Sequence, residues 1–420
     1  MHDGGNTPFL TQIRMPPSLP RPFIGLAWAN LAVQSAEQLS LAATPIVAVL
    51  LLGAGPGEVG LLGTAQTLPF LLLSIPLGLW ADRNSRLRLM VWSEVLRLLA
   101  FVGLLVVVLC GQVSIGLLAL LGFLGAVGTV GFSVAAPALT PALVPRALLA
   151  QANGRLELAR SVAFAAGPAL AGSLVAWAGA SSAYVLAAAV SAAALTLLLR
   201  LREPQRTAAA PRHVFLELQD GARLVWRHAL LRPIFTTSVA WNISWFVLQA
   251  AYVPYAMRLL GLDASGVGFT LAAYGAGMIV GALVARRIMA AMSFGRAILL
   301  GPAMSVLAQL VMVTTLALPL GTLAGIAFFL FGAGPIIWTI TSVTLRQTVT
   351  PDAMLSRVSA IFLTGGWGVR PIGAALGGFV GATWGEPACL VLAMAGFLLQ
   401  AWVIWASGVR QLQVLPDNVE

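Results

Sequence analysis

The residues able to do chemistry in this chain stand where charge is costly. Glu37, Glu94, Arg97, Arg155, Glu157, Arg160 and Arg370 all lie inside long apolar runs. A charge surrounded by hydrocarbon has to face a cavity or a partner. A carboxyl there can take up and release a proton, and an arginine can hold a fixed positive charge. At about 100° per residue, Asn30, Gln34, Glu37, Gln38 and Thr44 fall on one side of a helix, a polar stripe on an apolar rod. The stripe reads as a cavity wall with Glu37 as the proton-coupling acid; the alternative is a structural hydrogen bond to a neighbouring helix. Ser238, Trp241, Asn242, Trp245, Gln249 and Tyr252 share one face of a later run. Aromatic rings with a few polar groups suit an amphipathic organic ligand, and interfacial anchoring of the tryptophans is the alternative. Glu94 and Arg97 are three residues apart and share a face, as do Glu157 and Arg160. Arg97 and Arg370 lie deepest in their runs and are the better functional candidates, with structural ion pairing as the alternative. The candidate substrate cavity therefore comprises Asn30, Gln34, Gln38, Arg97, Trp241, Asn242, Trp245, Gln249, Tyr252 and Arg370.

The elements that must position these residues are membrane helices. The chain is 59% hydrophobic and only 9% charged, against roughly 25% charged in a soluble domain. Runs of about 20 apolar residues, enough to cross a bilayer, lie at 23–50, 57–81, 88–110, 113–136, 151–177, 181–199, 233–257, 265–285, 295–317, 321–345, 356–382 and 387–407. An all-α integral membrane protein of twelve spans is predicted. With the N-terminus cytoplasmic, every arginine outside the spans falls on the cytoplasmic side except Arg258, a strong positive-inside signal. Both termini are then cytoplasmic. The net charge of +10 is topology, not a nucleic-acid surface. Cys110 and Cys389 form no ligand cluster, and His2, His213 and His228 fall outside the apolar runs, so no metal, cofactor or enzyme chemistry is expected. Residues 1–22 lack the apolar core of a signal peptide.

The polar stretch 200–232 divides the spans six and six. Within it Phe215, Leu216, Leu218, Leu224, Val225 and Trp226 interleave with Glu217, Asp220, Arg223 and Arg227, the pattern of an amphipathic helix on the membrane surface. The organisation expected is a tail at 1–22, a six-helix bundle at 23–199, the linker at 200–232, a second bundle at 233–407 and a tail at 408–420. The halves repeat. Pro145-Arg146-Ala147, Gly167 and Gly172 recur as Pro351-Asp352-Ala353, Gly373 and Gly378 at a constant offset. Parallel repeats of this kind commonly meet around a midplane binding site. Gly167-Pro168, Gly172, Pro371 and Gly373 mark close packing or hinges, because glycine lets helices approach and proline leaves a backbone bond unmade.

The densest charge is Gly78-Leu79-Trp80-Ala81-Asp82-Arg83-Asn84-Ser85-Arg86-Leu87-Arg88, between the second and third spans. Here the chain resembles the major facilitator superfamily over nearly its whole length, and most closely its drug-efflux and enterobactin-exporter-like branch, the transmembrane secretion effectors. Gly78, Asp82, Arg83 and Arg86 match that family's loop signature, with Ser85 in place of glycine and Arg88 one place late. The second-half counterpart keeps Gly281, Arg286 and Arg287 but has Ala285 where the acid would stand. Gly167-Pro168 and Gly172 resemble a reduced antiporter signature, and Glu37 falls where relatives often carry an acid. The resemblance implies two pseudo-symmetric six-helix bundles, alternating access, and export of a small organic molecule driven by proton entry. It implies that Gly78, Asp82, Arg83 and Arg86 form a conformational latch, with Asp82 facing the helix dipole of span eleven near Ser356 when the cytoplasmic side is closed.

The expected protein is a monomeric, proton-coupled exporter of a hydrophobic or amphipathic small molecule in the bacterial inner membrane. Its partners are that substrate and the lipid bilayer, with no nucleic acid. The proton gradient is the driving force and no cofactor is needed. A siderophore exporter of the same fold, an importer, and a non-transporting sensor or scaffold are the alternatives.

Overall fold

The computed structural model describes residues 19–145, 148–203, 214–351 and 354–415; the side chains of Asp82, Ala150, Ser356 and residues 214–217 lie outside that description. The helices are α1 (Arg21–Leu52), α2 (Pro56–Arg83), α3 (Arg86–Leu109), α4 (Ile115–Leu143), α5 (Leu149–Ala178), α6 (Ser182–Leu199), α7 (Val214–Arg227), α8 (Leu231–Arg258), α9 (Ala264–Ala291), α10 (Phe294–Thr314), α11 (Gly321–Thr348), α12 (Leu355–Gly368), α13 (Arg370–Trp384) and α14 (Glu386–Trp405). Short polar caps start several of them. Ser85 Oγ accepts from the Arg88 amide, and Asp263 Oδ1 from the Gly266 amide, satisfying donors that a helix start leaves open.

Ten of the described helices are long and apolar enough to cross a membrane. α8 and the α12–α13 pair complete the expected twelve. Trp241, Asn242 and Gln249 lower the hydropathy of α8. The eleventh span, read in the sequence as one run, breaks at Val369 into helices of 14 and 15 residues. Pro371 contributes no amide to the first turn of α13, so the break falls where a backbone bond is missing. In α5, by contrast, Pro168 is accommodated inside an unbroken helix.

The main packings of the first half have counterparts in the second. α1 packs on α5 and α6 as α8 packs on α13 and α14; α2 packs on α4 as α9 does on α11; α3 packs on α4 and α6 as α10 does on α11 and α14. The halves meet along two seams, α5 with α9 and α2 with α13. At their closest points both seams bring backbone against backbone. A Cβ on Gly60 would stand 2.4 Å from the Gly378 Cα, and one on Gly172 would stand 2.3 Å from the Ala264 carbonyl oxygen. Glycine is required there because backbone meets backbone.

The buried core shows which face these seams close. One apolar cluster runs through both halves, joining Ile46 and Tyr184 to Tyr252 and Phe328. It occupies the half of the bundle far from the chain termini. On the terminal side the cores are separate, one around Phe23, Met90 and Phe132 and another around Ile234, Ile298 and Phe362. Among the described residues the halves therefore share one core on the far face and have separate cores on the terminal face.

Arg258, at the end of α8, fastens the far face. Its Nη2 donates to the carbonyls of Gly53 and Ala54 at 2.5 and 3.0 Å, and its Nη1 to Glu386 at 3.4 Å. The carbonyls at the end of α1 carry the negative end of that helix's dipole, so a cation is favoured there. The contact is partly exposed and is worth about 1 kcal/mol. Arg258→Ala is accordingly expected to raise the open population of the far face about fivefold. In a background lacking Cys110, a cysteine at buried Val59 would then react correspondingly faster with a membrane-impermeant maleimide. An unchanged rate would show that Arg258 does not hold the face shut.

The α2–α3 loop is held by a residue that sequence reading did not single out. The Glu203 carboxylate accepts from Ser85 Oγ at 2.5 Å and from the amides of Arg86 and Leu87 at 3.2 and 3.1 Å. It caps the N-terminus of α3 from the start of the linker, where a negative charge is stabilised. Arg86 donates to the Ala138 carbonyl of α4, Gly78 lies against Val134, and Arg83 is exposed. Of these partners Ala138 and Val134 belong to the first half and Glu203 to the linker. The expected partnership of Asp82 with Ser356 lies outside the described side chains.

Candidate functional site

A cavity of about 350 Å³ lies between the halves. Its walls come from α1, α2, α4 and α5 on one side and α8, α9, α11 and α13 on the other, with Phe101 and Leu104 of α3 behind. The charged groups in the wall are Glu37, Arg160 and Arg370, joined by the Tyr274 phenol. Of the residues expected to line a substrate cavity, Gln38, Trp241, Asn242, Trp245, Gln249 and Arg370 do so, together with Glu37.

The aromatic wall is a packed unit. Trp241 and Trp245 stack with centroids 5.4 Å apart and planes 9° apart. Trp245 meets Phe328 and Phe331 edge-on and Tyr274 at 5.0 Å. Trp241 Nε1 donates to Ser305 Oγ at 3.2 Å, so its one polar atom is satisfied. Trp245→Ala is expected to cost about 3–5 kcal/mol through the cavity it leaves, seen as a fall in the thermal unfolding midpoint of the detergent-purified protein.

Among the described residues no carboxylate holds Arg370. Its Nε donates to Asn242 Oδ1 at 3.2 Å, and its guanidinium carbon lies 4.9 Å from the Trp367 ring centroid and 5.6 Å from that of Phe246. Aromatic faces attract a cation without neutralising it, so the arginine keeps a positive charge available to a ligand. Arg160 enters from α5, with Nε and Nη2 donating to Glu157 Oε1 at 3.1 and 2.7 Å. The pair is more than a third exposed on both sides, and solvent weakens its hold.

Four expected cavity residues lie elsewhere. Arg97 is 1% exposed and sits behind Glu37, with Nη2 donating to the Val33 carbonyl at 2.8 Å and lying 3.1 Å from Glu94 Oε2. It has the right depth, but its side chain fills the space between α3, α1 and α6. Asn30 is buried and donates to the Leu156 carbonyl at 3.3 Å. Gln34 is half-buried and outside the cavity wall. Both share Glu37's stripe but lie nearer the terminal end, where α1 packs on α5. Tyr252 is fully buried, donating to Thr270 Oγ1 at 2.5 Å and resting on Phe328 at 4.4 Å. It lies on the aromatic face but too far along α8, in the sealed part of the bundle.

Sequence reading omitted Arg160, Tyr274 and Gln66 from the cavity, and the structure includes them. Two of these left a signal. Tyr274 is a lone large side chain among Ala272, Ala273, Gly275, Ala276 and Gly277, and Gln66 is an amide in an apolar span. The residues marked as hinges lie at close helix contacts. A Cβ on Gly167 would stand 2.5 Å from Gln38 Cβ, and one on Gly373 would stand 2.6 Å from the Ile243 carbonyl oxygen. These are equivalent α1–α5 and α8–α13 packings of the two halves. Pro168 lies in the cavity wall, Gly172 on the α5–α9 seam, and Pro371 just past the helix break.

Comparison with known proteins gives one answer at three levels. A family model described as Major Facilitator Superfamily matches residues 26–374. The chain is 29% identical over 316 residues to the enterobactin exporter EntS of Escherichia coli O1:K1, covering 73% of this chain and 72% of that protein. It is 28% identical over 310 residues to EntS of Shigella flexneri. Among solved structures, a bacterial homologue of the iron transporter ferroportin in an inward-facing state superposes with a TM-score of 0.74 at 16% identity, over 93% of this chain and 99% of that one. The nucleoside transporter NupG gives a TM-score of 0.71 at 11% identity, over 92% and 98%. With its twelve spans in two repeated bundles around a central cavity, the chain is a multi-pass membrane transporter, not an enzyme, and it belongs to the Major Facilitator Superfamily.

Proposed function

We propose that this transporter exports an amphipathic, aromatic-bearing small molecule in exchange for protons, acting as a monomer with both termini cytoplasmic. The observation that carries the reading is one cavity holding Glu37 opposite a stacked tryptophan pair, with the Arg370 charge left open between them. The rings offer apolar surface to the substrate, the arginines attract any anionic oxygens it bears, and Glu37 carries the proton. The placement of arginines on the terminal side supports the orientation, and on that orientation the face with separate cores is the one that opens to the cytoplasm. Gly78, Asp82, Arg83 and Arg86 are then the latch that engages when this face closes. The driving force is the proton gradient, and no cofactor takes part.

Export of a siderophore is the reading favoured by the relatives, which are named as enterobactin exporters. The test is transport by the purified protein in proteoliposomes, with and without an imposed proton gradient. The panel contains enterobactin, a macrolide and a cationic dye. Gradient-dependent movement of any one supports the proposal, and enterobactin alone would select the siderophore reading. Movement that ignores the proton gradient for every transported compound would remove proton coupling from it.

A further inference from the structure

The wall of the cavity hides a second charged group behind Glu37. Arg97 and Glu94 are 1% and 0% exposed in mid-membrane. Arg97 Nη2 lies 3.1 Å from Glu94 Oε2, and Ser191 of α6 donates to Glu94 Oε1 at 2.6 Å. Nη2 also donates to the Val33 carbonyl. In an α-helix that carbonyl accepts from the amide four residues on, so Arg97 grips the very turn that carries Glu37. Every one of these contacts uses Nη2. Nη1 and Nε are both buried and have no hydrogen-bond partner among the described residues, and of the two it is Nη1 that lies toward the cavity acid. Nη1 lies 4.0 Å from Glu37 Oε2, too far for a hydrogen bond and about 1 Å from a charge-assisted one.

A buried donor left open costs about 1–3 kcal/mol. A purely structural ion pair has no reason to keep one aimed at a cavity acid. We propose that Arg97 is the resting place of the Glu37 carboxylate after proton release, and that Glu94, held by Ser191, is the fixed counter-ion that keeps this place available without locking it. The inference rests on the reading of Glu37 as the proton site. In the step, the Glu37 O–H bond breaks and the proton passes to water in the cavity. The carboxylate then closes on Nη1, and the guanidinium keeps all its protons. Because Glu94 already balances Arg97, the hold on Glu37 is weak enough for the next proton to break it. Arg97 and Glu94 are positioning residues here. Among the described residues the other charged or titratable groups facing Glu37 are Arg160 from α5, Arg370 from α13 and Tyr274 from α9; the polar side chains that α2 and α8 add to the wall, among them Gln66, Thr67, Asn242 and Gln249, are uncharged.

The experiment needs no substrate. Infrared spectra of the purified full chain, recorded as pH is changed, are expected to contain a protonated-carboxyl band that Glu37→Gln removes. Glu94→Gln leaves Arg97 with Glu37 as its only acid, so the pH midpoint of that band should move about one unit or more toward acid. Glu94→Gln with Arg97→Gln removes both charges, and the midpoint should move toward alkali. Ser191→Ala, which deletes only a hydroxyl, should give a smaller shift in the acid direction and serves if the first variant does not fold. A merely structural pair would alter stability and leave the midpoint in place, which would overturn the inference while Glu37 kept its role. If Glu37→Gln left the band unchanged, the proton site itself would be wrong.

Discussion

Glu37→Gln is expected to abolish proton-driven transport while leaving substrate exchange across the membrane near its original rate. Glutamine has the shape of a protonated carboxyl and cannot release a proton. Each pH unit of gradient is worth about 1.4 kcal/mol, a tenfold concentration ratio, for every proton exchanged. The variant should therefore lose that ratio completely and equilibrate its substrate. Exchange needs the halves to rock with substrate bound, and nothing in the Glu37 side chain seals either seam. The measurement is accumulation in proteoliposomes with an imposed gradient, set against counterflow without one. Accumulation at the original level would exclude Glu37. Loss of both activities would make the residue a structural or substrate contact instead.

Replacing Gly172 with valine should have an effect as large, by a different route. A Cβ there meets the Ala264 carbonyl oxygen at 2.3 Å and the Gly268 Cα at 2.8 Å. Both are backbone, so no rotamer change relieves the clash. Overpacking of this kind costs about 1–3 kcal/mol and often more. The strain sits on the α5–α9 seam, and parting the seam removes it. The far face is thus expected to stay open, transport to fall to background, and each bundle to remain folded. Labelling of a cysteine at Val59 from the far side should become fast, in the direction expected for Arg258→Ala but further. Gly154, earlier on the same helix, has open space around its Cβ position. Gly154→Ala should therefore leave transport intact, which separates the seam from a general intolerance of α5. Full transport by Gly172→Val would mean that the halves need not meet there.

These two residues differ in how they could be known. Glu37 is visible in the sequence because one acid in an apolar run is costly, and cost implies a reason. Gly172 is visible as half of a repeat with Gly378 and as part of a reduced antiporter signature, neither of which names what it packs against. Its partner, Gly268, carries no mark that distinguishes it from many other glycines in the chain. Backbone contact between halves depends on where two rigid bundles come to rest, and no local propensity encodes that.

The sequence by itself determined the class, the number of spans, the six-and-six repeat and the side favoured by arginine. Each follows from a one-dimensional quantity: hydropathy over a bilayer's thickness, charge between spans, and a constant offset. It also determined which face of each helix is polar, since helical periodicity turns spacing into angle. Only the tertiary structure decided depth and company. Asn30, Gln34 and Tyr252 have the right angle, yet neighbouring helices cover them at their level of the bundle, while Trp241 and Trp245 remain at the cavity. Arg97 has the right depth and points between helices, behind the acid it was expected to accompany. Arg160 joins Glu37 because α5 packs on α1, and Tyr274 joins them because α9 meets α5 across the halves. Angle is a property of one helix, whereas a cavity is the space that several helices leave unfilled.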